Sequence, residues 1–100
     1  MDPVKLRKIS ETAVAARAAK ILIEIEAKVQ KAAESGVFCK DVWRLKWGTD
    51  ILHNTRSEEG LIGAAKIVFD LLKKDKMNPE LVEGHDGIGM RNWIDIVVRW

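Results

Sequence analysis

The first thirty-odd residues constrain this fold more than any other stretch, because they read as one helix with two chemically opposed sides. At about 100° per residue, Val14, Ala18, Ile21, Leu22, Ile25, Val29 and Ala32 form a continuous apolar stripe. Arg17, Lys20, Lys28 and Lys31 line the far side, with Glu24 among them. Asp2 and Pro3 make a cap and first-turn pair, since proline lacks the amide hydrogen that goes unused there. Ser35-Gly36 supplies the stop. A helix from Pro3 or Lys5 to Glu34 is about 45 Å long, more than a small monomer covers. The expectation is therefore a homodimer.

The totals agree with one intracellular domain over residues 1–100. Apolar residues make up 47% and charged residues 32%, a globular balance. The net charge is only +2, so nucleic-acid binding has to come from clustered cations. Cys39 is the single cysteine, which leaves no internal disulfide and no paired-cysteine zinc site and points to a reducing compartment. No apolar run approaches the roughly 18 residues of a membrane span, and Met1 to Lys5 does not read as a signal peptide. A cytoplasmic protein with no membrane partner is expected.

The rest of the chain reads as further helix. From Val37 to Asn54, Phe38, Val42, Leu45 and Leu52 share one side and Trp43, Trp47 and Ile51 another, predicting a helix buried on two sides and broken near Gly48. Trp43 and Trp47 read as core or interface residues. Ser57 caps a second long helix carrying Leu61, Ala64, Ala65, Val68, Leu71 and Leu72 and closed by Lys73, Lys74 and Lys76. Pro79 to Glu83 reads as a helical turn and His85 to Met90 as a loop. Trp93 to Trp100 alternates like a strand, but a lone strand has nothing to pair with, so a short helix is expected. The predicted fold is all-α, with long antiparallel helices in a four-helix-bundle-like homodimer and a short C-terminal element.

No catalytic signature emerges. Cys39 with His53 or His85 lacks any local pattern of a thiol–imidazole pair. The glycines around Asp86 lack the Lys-Ser/Thr of a phosphate loop. No cofactor, no metal and no enzyme activity are expected. The basic row instead suits a polyanion, because cation–phosphate contacts dominate duplex affinity.

Two resemblances add to this. The stretch His53-Asn54-Thr55-Arg56-Ser57, followed by Gly63-Ala64, resembles the phospho-accepting segment of histidine phosphotransfer domains, with Thr55 and Ser57 departing from it. That implies a helical bundle with His53 as acceptor and Arg56 as its basic neighbour. Lys5-Leu6 with Ile9, then Lys66-Ile67-Val68 to Leu71-Leu72-Lys73-Lys74, then Leu81-Val82-Glu83-Gly84, resemble the small nodavirus proteins that suppress RNA silencing. This likeness implies a viral, helical homodimer that binds double-stranded RNA without regard to base sequence, with Lys66 at a phosphate-contacting position. The preferred expectation is non-catalytic binding of double-stranded RNA by Arg17, Lys20, Lys28, Lys31 and Lys66. Val14, Ile21, Ile25, Val68 and Leu72 then hold the bundle or dimer together. The alternatives are phosphotransfer through His53, and a small protein-interaction or inhibitor module anchored by Trp43, Trp47 or Trp100.

Overall fold

The computed structural model describes residues 2–87 and 92–100. Helix α1 spans Pro3–Glu34 without a break. Asp2 accepts the Val4 N–H at 3.0 Å, and Pro3 occupies the first turn. At the other end Gly36 takes a φ of 85°, and Gly36 and Val37 return their N–H groups to the carbonyls of Ala33 and Ala32. Two late carbonyls are thereby satisfied, as in a Schellman cap.

Beyond α1 the all-α expectation fails. The chain is α+β, two helices against a three-stranded antiparallel sheet whose middle strand is the last in sequence, and not an all-α four-helix bundle. Strand β1 is Cys39–Leu45, where a helix was expected. The cause is a bulge: Asp41 pairs with Val97 and Trp43 with Ile96, leaving Val42 as an extra residue. Val42 and Leu45, three apart, both become buried, which imitates helical spacing on a strand. The Trp47 to Asn54 part of that expected helix is a loop of turns tied by the Ile51–Leu61 bridge.

The second helix also starts later than Ser57. The Ser57 side chain makes no cap, and Glu58–Gly60 is a 3-10 turn. Leu52 and Ile62 donate N–H groups to the carbonyls of Gly60 and Asp50, so the chain stays extended until helix α2, Gly63–Lys74, begins. The expected helical turn at Pro79 is instead the entry to strand β2, Glu80–His85. The tail is not the expected short helix but strand β3, Asn92–Arg99, and it is central, paired with β1 on one side and β2 on the other. Residues 88–90 of the expected loop lie outside the described residues.

Along β3, Ile94, Ile96 and Val98 point to one face and are fully buried. Ala18, Ile25 and Ala32 of α1 and Ala64, Ala65, Val68, Phe69 and Leu72 of α2 are buried with them, mostly in one contiguous core. Of the residues assigned to a bundle seam, Ile25, Val68 and Leu72 are buried here and Val14 and Ile21 half-buried. The opposite sheet face carries Trp93, Asp95 and Val97. There Arg44 lies 4.5 Å over the Trp93 ring and pairs with Asp95.

Candidate nucleic-acid interface

Helix α1 packs beside β1, an edge strand, so its basic flank and the strand edge adjoin. A bulge on an edge strand leaves backbone groups without ladder partners. Lys28 fills one such gap, its Nζ donating to the Val42 carbonyl at 3.1 Å. One turn further on, Lys31 and Lys28 meet Lys40 of β1 in an open cleft of about 560 Å³, whose wall includes Ser35 and Asp41. Lys20 is exposed on the same flank. Among the described residues, Lys20, Lys31, Lys40 and Lys46 form no ion pair, and Glu24 pairs with none of its lysine neighbours.

Arg17 stands apart from that group. Its Nη2 lies 2.9 Å from Oδ1 of the buried Asp50, in ionic contact though not aligned as a hydrogen bond. Its guanidinium also sits 5.8 Å from the Trp43 ring centre. Asp50 Oδ2 accepts the Lys46 N–H at 2.9 Å, so one carboxylate closes the turn after β1 and ties it to α1. Lys66 is on α2 and reaches Asp70 at 4.0 Å, one turn along its own helix. The structure thus brings Lys28 and Lys31 together with a residue the sequence did not single out, Lys40.

Asp41 is the one acid in the cleft wall. Burial, then a hydrogen bond to Asp95 and repulsion from its charge, raise the Asp41 carboxyl to about 6. Arg44 holds Asp95 from β1, with Nε 3.1 Å from Oδ1. Sequence reasoning missed this cross-strand cluster because Asp41 and Arg44 were placed on a helix.

His53 lies in a turn, not on a helix, and its ring covers Gly48, where a Cβ would come within 2.7 Å of Nε2. Arg56, its expected basic neighbour, pairs with Glu83 at 2.8 Å. The helical bundle that both family resemblances imply is absent. Trp43 and Trp47 are half-buried, and Trp47 Nε1 donates to the Thr55 carbonyl at 3.2 Å. Cys39 is free and exposed. Among the described residues no group of three His, Cys, Asp or Glu is placed to hold a metal ion, and no helix is long and apolar enough to cross a membrane. Comparison of the chain with known protein families, with curated proteins and with solved structures finds no match.

Proposed function

We propose that this protein is a non-catalytic module that holds double-stranded RNA by its phosphates, along the flank shared by α1 and the β1 edge. The supporting observation is the convergence of Lys28, Lys31 and Lys40, from two different elements, on one open cleft. Lys20 continues the line, about 16 Å from Lys31 along the helix axis. Such a flank reads charge and shape, which is how A-form duplexes are recognised, since their base edges are poorly accessible to side chains. Arg17 and Lys66 leave the proposed contact set, Arg17 because it is anchored to Asp50 and Lys66 because it stands on α2 beside Asp70.

The test is a titration of short RNA duplex, DNA duplex and single strands at several salt concentrations. With Lys28 tied to the Val42 carbonyl, the three free lysines, Lys20, Lys31 and Lys40, give a slope of about −3 in log affinity against log salt. The double variant Lys31→Glu/Lys40→Glu alters two exposed side chains, so it keeps its fold and loses duplex binding. If it binds the RNA duplex as the parent does, or if binding ignores salt, the flank is not the site.

A further inference from the structure

Helix α1 has a second apolar line that its own domain leaves uncovered. Ile9, Ala16 and Ile23 follow at seven-residue spacing on the side away from the core, where Ile9 is 58% and Ile23 67% exposed. Ala13 and Ala19 flank Ala16, and both are exposed. A shallow groove bordered by Lys5, Lys8 and Ile9 runs down to Ala16 on this side. A seven-residue apolar repeat is the seam on which helices supercoil, and alanines at its centre let two helix axes approach to about 8 Å.

We propose that a second copy of this chain occupies the seam, its α1 running antiparallel about a two-fold axis at Ala16. The sequence is self-complementary in that register. Ile9 and Ile23 stand seven residues on either side of Ala16, so Ile9 of each copy meets Ile23 of the other. Charge selects the direction. Lys5, Arg7 and Lys8 crowd the N-terminal end, and Glu24 and Glu26 lie beyond the centre. A parallel pair sets Lys5 and Lys8, which border the groove, against their own copies, whereas the antiparallel pair places Lys5 and Lys8 of one helix beside Glu26 of the other. The seam from Lys5 to Ala27 is about 33 Å long. The two domains sit on its outer sides, so this is a helix pair joining two α+β units and not a shared bundle core.

Sedimentation equilibrium and disulfide trapping test this. The parent sediments at twice its 11.3 kDa chain mass. Ile23→Glu raises the dissociation constant about a hundredfold, because two buried isoleucine contacts are lost per dimer, and leaves the circular dichroism unchanged. In a Cys39→Ser background, Ala16→Cys cross-links with itself on oxidation, while Ile9→Cys alone does not. Lys8→Glu weakens the dimer, and adding Glu26→Lys restores it. A parent that stays at chain mass at every concentration overturns the proposal, including one that co-sediments with anionic vesicles instead. So does a mass unaffected by Ile23→Glu, or self-cross-linking of Ile9→Cys, which marks a parallel pair.

Discussion

Replacing Asp50 with alanine separates an anchored cation from the free ones around it. Asp50 is 2% exposed, accepts the Lys46 N–H at 2.9 Å and lies 2.9 Å from Arg17. Its loss leaves a loop N–H without an acceptor, which costs about 1–3 kcal/mol. Breaking a fully buried ion pair costs about 3–5 kcal/mol, but the Arg17 side chain is 44% exposed and water can solvate it again. The two effects together place Asp50→Ala at about 3 kcal/mol, near the bottom of that range. Arg17→Ala, which strands the buried carboxylate and uncovers Trp43, comes to about 2 kcal/mol. In a domain of this size each kcal/mol moves the midpoint about 4–8 °C, so Asp50→Ala melts roughly 15 °C lower. Asn at position 50 keeps an acceptor without the charge and falls between. Urea denaturation followed by tryptophan fluorescence reads all of these, with Trp43 beside Arg17 as reporter. The double-mutant cycle gives a coupling of about 2 kcal/mol. If the two losses simply add, or Asp50→Ala stays within about 0.5 kcal/mol of the parent, the anchor does not exist and Arg17 rejoins the free cations of the flank.

Two further outcomes follow from the open sheet face. The Asp41 carboxyl is raised from 3.8 to about 6 in the folded chain, so the folded state holds its proton more tightly than the unfolded state. Its contribution is complete below the unfolded value and disappears as pH climbs through 6; after allowance for solvent screening it amounts to about 1 kcal/mol. From acid to neutral pH the urea midpoint therefore falls more for the parent than for Asp41→Asn, and parallel midpoints refute the raised Asp41 carboxyl. At Gly84 an added Cβ would sit 2.3 Å from Trp93 Nε1, so Gly84→Ala swings the ring out from under Arg44. A loss of about 1–2 kcal/mol with red-shifted emission is expected, and unshifted emission contradicts it.

Helix α1 was readable because all its signals are local. Asp2-Pro3 opens it, Ser35-Gly36 closes it, and its buried stripe repeats every three or four residues. The apolar positions of α2 were readable for the same reason, though its start was not, since Leu61 is held by a bridge to Ile51 that no local pattern announces. The sheet was hidden by longer-range facts. The Val42 bulge disguises β1 as helix, and β2 exposes Glu80, Val82 and Glu83 and so shows no clear apolar alternation. With both neighbours concealed, the alternation of Ile94, Ile96 and Val98 was visible but had no apparent partner. The site divides likewise. Lys28 and Lys31 were legible from one helix, while Lys40 and the Arg17–Asp50 anchor depend on which strand lies beside it.

Amide chemical-shift mapping during addition of a short RNA duplex tests the central proposal most directly. Shifts concentrated at Lys20, Lys28 to Ser35 and Cys39 to Asp41, with Lys66 and the rest of α2 unmoved, are the predicted result. Shifts centred on α2 or β2, or none at low salt, contradict it.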